Sequence, residues 1–420
     1  MPVVIFTGTT GIDMRRICET VRQEFGDAEI IDIQRKIEYC LDVRHYKIYG
    51  YAFYKSPYRI REACRETVKD VISEIEGLEK DGKTVILTGH ITYLQEGLFI
   101  VSPVIIEILK EIMRLEEKVN KKIIKGAIFF VDDYYHALLR MLKKAETEPF
   151  DEEIDPLTYL QWRGVDLANF ITLFFLRGID SYLAPIKHSK ETIIGLIEHI
   201  LGRRRRKCIY LAHHIRVARK MAIESHKNLS EVDYVKEYEQ FKEDLSRESS
   251  LLLFEPATID ELIYDPRTED LRTEIREAER WPFKAHATIH NDFILPVDLT
   301  TTRWESLYDP RLLNESWYLS LMKEHINKQI DMRDSLLIEQ SRCLVAYRPT
   351  ALGGLSSGVA RETNMAIDKG KPVLWYIPEG CGADEITEAE KTAGVRPFER
   401  AFKRGRVVVV RNKEELLSRL

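Results

Sequence analysis

Short apolar runs without polar alternation recur along this chain, and most are followed by a helical pattern. VVIFTG starts at Val3, EIIDI at Glu29, TVILTGH at Thr84 and AIFFVDD at Ala127; the second half adds IYLAHHI, SLLLFEPATI, CLVAY, KPVLWYI and RVVVV. A strand that is apolar at successive positions is covered on both faces, the condition of a parallel sheet packed between helices. Strands alternating with helices in this way predict an α/β protein built on doubly wound parallel sheets.

At 420 residues the chain exceeds one compact core, and roughly 100–200 residues per domain gives two. The run GRRRRK from Gly202 to Lys207 separates a helical stretch from the strand CIYLA and reads as solvated punctuation, since no aromatic residues interleave with it. The expected domains are therefore residues 1–202 and 203–420. In the second, about five strands form the sheet, and a long insertion from about Asp265 to Gln329 lies between its second and third strands. That insertion reads as a lid, an oligomer contact, or both, and holds His286 and His290, which read as structural histidines.

The net charge of -5 gives no general attraction to nucleic acid or to an anionic membrane, and no apolar run approaches the ~20 residues of a bilayer span. Six scattered cysteines form no CxxC pair, which argues against a zinc site and a disulfide framework and fits a reducing cytoplasm. No metal site is expected.

From Arg333 to Pro378 the pattern is helix, buried strand CLVAY, the loop containing Ser356, Ser357 and Gly358, a helix, and the strand VLWYI. Glu362 is expected in the first turn of that second helix. Two readings of it stand side by side: a carboxylate favouring the helix dipole or capping it, and a functional group at the sheet's carboxyl edge, where open α/β sheets bind ligands.

These residues resemble the nucleoside 2-deoxyribosyltransferase superfamily, and most closely its 2'-deoxynucleoside 5'-monophosphate N-glycosidases. The shared pattern is Arg333-Asp334, then a hydrophobic strand, then Ser356-x-Gly358-Val359-x-x-Glu362; Tyr210, Ile215, Arg216 and Arg219 match the family's first strand and phosphate loop. His213 and His214 stand where the glycosidases are glycine-rich, and Thr350 to Gly354 lengthens the loop before the serine. The resemblance implies a flavodoxin-like domain that hydrolyses or transfers at an N-glycosidic bond. Glu362 would be the nucleophile, Asp334 would hold a sugar hydroxyl or manage a proton, and Tyr210 would support the carboxylate. Arg216, Arg219, Ser356, Ser357 and Gly358 would bind the substrate. The transferases acting on free nucleosides have aspartate where Ser356 stands; serine can donate to a phosphate, so the implied substrate is a nucleotide. The resemblance also implies a homo-oligomer, a dimer or higher.

The first half resembles P-loop nucleotide kinases of the adenylate kinase type, through the loop Gly8-Thr9-Thr10-Gly11-Ile12-Asp13-Met14-Arg15, Thr88-Gly89-His90 and Trp162-Arg163. The implied nucleotide contacts are Gly8, Thr9, Thr10, Gly11 and Arg15. Asp13, Met14 and Arg15 replace the glycine, lysine and serine or threonine that such a loop uses, so a degenerate nucleotide-binding or structural domain is expected. No cofactor is implied, save magnesium at Asp132-Asp133 if a nucleoside triphosphate binds; those aspartates read equally as helix caps. The aromatic stretch from Arg44 to Arg59 suits either base stacking or packing. Two further functional readings remain: a nucleotide sensor without turnover and an atypical nucleotide kinase.

Overall fold

The computed structural model describes residues 2–41, 57–95, 98–133, 137, 140–141, 155–186, 188–215, 217–218, 221, 232–256, 316–381, 383–393 and 398–420. Residues 44–56 of the aromatic stretch, Arg216, Arg219, and most of the insertion with His286 and His290 lie outside them. The chain divides into two compact units. One runs to Arg203 and includes residues 316–329; the other runs from Arg204 and resumes at Ile330.

The first unit holds β1 (Val3–Gly8), α1 (Met14–Glu24), β2 (Ala28–Asp32), α2 (Ile33–Leu41), α3 (Pro57–Lys80) and β3 (Thr84–Thr88). It continues with β4 (Thr92–Gln95), β5 (Leu98–Val101), α4 (Pro103–Val119), β6 (Ile124–Val131), α5 (Pro156–Leu173), β7 (Ser181–Pro185) and α6 (Lys190–Ile200). Its main sheet is parallel, in the order β2-β3-β1-β6-β7. Every residue of β1 is buried, the consequence of helices on both faces. The antiparallel pair β4–β5, absent from the sequence reading, opposes Thr92 to Val101 and Tyr93 to Ile100. Its β-branched and aromatic residues favour a pleated pair over continued helix.

The second unit holds β8 (Lys207–Ala212), α7 (Asp233–Ser246), β9 (Leu251–Phe254), α8 (Ser316–Gln340, from Ile330 on), β10 (Cys343–Tyr347) and α9 (Ser357–Asp368). Then come β11 (Val373–Tyr376), α10 (Ala383–Ala393), α11 (Phe398–Lys403), β12 (Val407–Val410) and α12 (Lys413–Arg419). The sheet is again parallel, in the order β12-β11-β10-β8-β9. Leu211, Val345 and Leu374 pack with Tyr238, Phe241 and Leu245 of α7 as the core of one face.

Residues 316–329 were expected in the second domain's insertion and instead group with the first unit. Tyr318, Met322 and Ile326 are buried there; Tyr318 Oη donates to Asp155 Oδ1 at 2.7 Å, and Gln329 accepts from Arg163 Nε at 2.7 Å. Apolar burial together with satisfied polar anchors outweighs proximity in the chain. Among the described residues no helix is long and apolar enough to cross a membrane.

Candidate active site

In the second unit the chain passes from β8 outward to β9, then returns to build β10, β11 and β12 on the other side. The reversal between β8 and β10 parts the loops at the carboxyl edge, where open α/β sheets form a crevice. Tyr210 lies on β8, fully buried, and β10 leads through residues 348–355 into α9.

Ser356 caps that helix: its Oγ accepts from Val359 N at 3.3 Å. Glu362 therefore sits in the second turn, not the first, and the capping explanation for it fails because Ser356 already fills that role. Its side chain points inward on the face shared with Val359, Thr363 and Ala366. Tyr210 Oη donates to Glu362 Oε1 at 3.0 Å, whereas Oε2 is buried without a hydrogen-bond partner among the described residues.

Asp334 lies on α8 and is 1% exposed. Arg333 Nη2 stands 3.4 Å from its Oδ1, and Arg361 Nη2 of α9 stands 3.3 Å from its Oδ2. Burial, then the charge of Asp334, pushes Glu362 up to about 8, against a smaller opposing effect of the Tyr210 hydrogen bond. Burial also raises Asp334, but Arg333 and Arg361 oppose it. Tyr210 is held neutral, far above its ordinary range, by burial and by the two carboxyls. A buried carboxyl with one engaged and one unengaged oxygen, set against a second carboxyl, is suited to attack a carbon while its neighbour handles a proton.

Among the remaining expected residues, Ser357 is exposed at the first position of α9, and a Cβ added to Gly358 would meet no protein atom within 4 Å. Arg216 and Arg219 lie outside the described residues. The two histidines have structural partners: the His213 ring stacks on Tyr238 with centroids 3.8 Å apart, and a His214 ring nitrogen lies 2.8 Å from Pro349 O. The lengthened loop is held by Thr350 Oγ1, which donates to Glu385 O at 2.9 Å, and carries Leu352, Gly353 and Gly354 at positive φ.

Arg361 and Asp331 escaped the sequence reading, although both belong to this carboxylate cluster: they form an ion pair. The i,i+3 spacing of Asp331 and Asp334 places them on one face of α8, and that was the available signal. Glu255, just past β9, is also buried and lies 3.4 Å from Lys242.

In the first unit, a Cβ on Gly8 would meet Phe130 O at 2.6 Å, and one on Gly11, whose φ is +91°, would meet Ala137 O at 2.6 Å. Thr9 is buried; Tyr159 Oη donates to Thr10 O at 2.8 Å, and Arg140 Nε donates to Gly11 O at 2.6 Å. Asp13 caps α1 through Arg16 N, while exposed Arg15 pairs along the helix with Glu19. Asp132 is ion-paired with Arg140, so its charge is already balanced within the protein. Among the described residues no group of three or more His, Cys, Asp or Glu could hold a metal ion. No protein-family model and no curated protein matches this chain.

Proposed function

We propose that the second unit cleaves the N-glycosidic bond of a nucleotide, with Glu362 as nucleophile. The observation that carries this reading is the buried Glu362, hydrogen-bonded through Oε1 to Tyr210 with Oε2 unengaged, beside Asp334 at the point where the strand order reverses. Glu362 Oε2 attacks the anomeric carbon as the bond to the base breaks; the electron pair leaves on the base nitrogen, which takes a proton from Asp334. Water then attacks the same carbon and gives its proton to Asp334, and the carbon–oxygen bond to Glu362 breaks. A second base in place of water makes the reaction a transfer.

The strand order supports reading this unit as a flavodoxin-like, deoxyribosyltransferase-like domain. We read the first unit as a degenerate kinase-like domain that binds nucleotide or serves structurally, and the protein as a homodimer or larger assembly. The test is to incubate the full chain with deoxynucleotides, ribonucleotides and NAD and to measure free base, with Glu362→Ala as control. Base release undiminished in Glu362→Ala refutes the mechanism.

A nucleotide sensor without turnover is the second reading, favoured by one observation: Glu362 is buried beside Asp334 with a phenol as its hydrogen-bond partner, which pushes it up to about 8 and favours the protonated form, no nucleophile. Calorimetry showing tight nucleotide binding by a wild type that releases no base would select it. Kinase activity is disfavoured by the exposed Arg15–Glu19 pair and by Met14, and labelled ATP with nucleoside monophosphates tests it.

A further inference from the structure

Asp334 is held by two arginines in different surroundings. The Arg333 side chain is 7% exposed and adjoins it on α8. Arg361 crosses from α9, is 37% exposed, and also ion-pairs with Asp331, whose side chain is 48% exposed. Two carboxylates on one face of α8 thus compete for one guanidinium. Arg361 Nε is buried without an acceptor among the described residues, so the guanidinium grips Asp334 through Nη2 and Asp331 through Nη1.

Among the described residues the two buried carboxyls of the cluster differ in their partners: Asp334 has two guanidiniums beside it, whereas Glu362 accepts from the Tyr210 hydroxyl. Asp331 is half-exposed and solvated, and Tyr210 of β8 and Tyr238 of α7 are phenols that burial holds neutral. A buried carboxyl without a cation beside it favours its protonated form, and the position of that proton decides which carboxyl is nucleophile and which is acid.

We propose that Arg361, acting with Arg333, sets where that proton resides: the two keep Asp334 ionised and leave the proton on Glu362 in the free protein, while Asp331 weakens the hold of Arg361 by pairing with the same guanidinium. Arg361 is a positioning residue, acting through Asp334. Catalysis then requires one proton transfer from Glu362 to Asp334, with no other change of bonding, to produce the carboxylate nucleophile and the acid together. This catalytic consequence rests on Glu362 being the nucleophile; the placement of the proton does not.

Carbon-13 carboxyl NMR of the full chain, labelled at aspartate or at glutamate and assigned with Glu362→Gln and Asp334→Asn, reads the proton without substrate. In the wild type the high-pH titration is expected on the glutamate signal. In Arg361→Met it moves to the aspartate signal and its midpoint rises by about one pH unit; in Asp331→Asn the midpoint falls; Arg361→Lys, which keeps the charge, restores the glutamate titration. If Arg361→Met does not fold, Asp331→Asn carries the test, and an unchanged midpoint there overturns the proposal. A high-pH titration that stays on glutamate with an unchanged midpoint in Arg361→Met, or shifts of the same sign in Arg361→Met and Asp331→Asn, overturns the proposal. The expected NMR pattern without base release from any nucleotide would sink only the reading of function.

Discussion

Replacing Glu362 by glutamine removes one titrating proton while keeping shape and an acceptor for Tyr210, so it isolates the cost of charging this carboxyl. The folded value of about 8 stands against an ordinary 4.5, burial being the main cause and Asp334 the next. Between those values the native protein holds a proton that the unfolded chain has lost. The contribution to stability is thus full below the unfolded value and is lost as pH rises through the folded one. The gap of about 3.5 pH units, at about 1.36 kcal/mol each, sets a ceiling of about 5 kcal/mol. Relaxation and water entry around a buried charge leave roughly half of that, about 2–3 kcal/mol, as the expected effect. Urea unfolding of wild type and Glu362→Gln, from about pH 5 to about pH 8.5, should show the variant gaining on the wild type by that amount as pH rises. A stability difference constant to within ~0.5 kcal/mol across the range would mean that Glu362 titrates near its ordinary value and that the electrostatic argument is wrong.

Tyr210→Phe removes the one donor to Glu362 Oε1 among the described residues, so the Glu362 titration should move higher still and base release near neutral pH should fall about tenfold or more, read from a pH–rate profile. Ser356→Ala removes the cap of α9 and should cost about 1 kcal/mol in chemical denaturation; a phosphate contact by the same hydroxyl would add a roughly tenfold rise in the nucleotide KM, whereas capping alone leaves KM unchanged. Gly11→Ala meets backbone at 2.6 Å and should lower stability by about 1–3 kcal/mol in thermal unfolding. Gly358→Ala meets no protein atom within 4 Å and should be neutral or stabilising by up to about 1 kcal/mol, yet should raise KM if substrate passes beside it.

The parallel strands were legible because burial on both faces imposes unbroken apolar runs, as VVIFTG and CLVAY show. The pair Tyr210–Glu362 was legible only through resemblance, since 152 residues of sequence separate its members and no local rule links them. The capping role of Ser356 was available in principle, a serine three residues before the Val359 amide, but it was read as a ligand contact because serine suits both. Arg361 was invisible for a different reason. Its partners Asp331 and Asp334 lie on another helix, and which face of α9 meets α8 follows from packing rather than from spacing. The placement of residues 316–329 likewise depends on Tyr318 and Gln329 finding polar partners far along the chain.

The glycines of the two loops separate structural demand from functional demand. Gly8 and Gly11 are required by their own unit, since each has a backbone carbonyl where a Cβ would go, and the loop's carbonyls at Thr10 and Gly11 already accept from Tyr159 and Arg140. A glycine motif sustained by internal packing persists whether or not a phosphate binds, so it is weak support for catalysis there. Gly358 is under no such constraint from the described residues, none of which lies within 4 Å of a Cβ built there, and in a helix's first turn alanine would be favoured on propensity. The described residues of the second unit therefore give no steric reason for glycine at this position, one turn from the unengaged oxygen of Glu362. Close approach by a substrate is a reason, and it agrees with the chemistry proposed for the second unit.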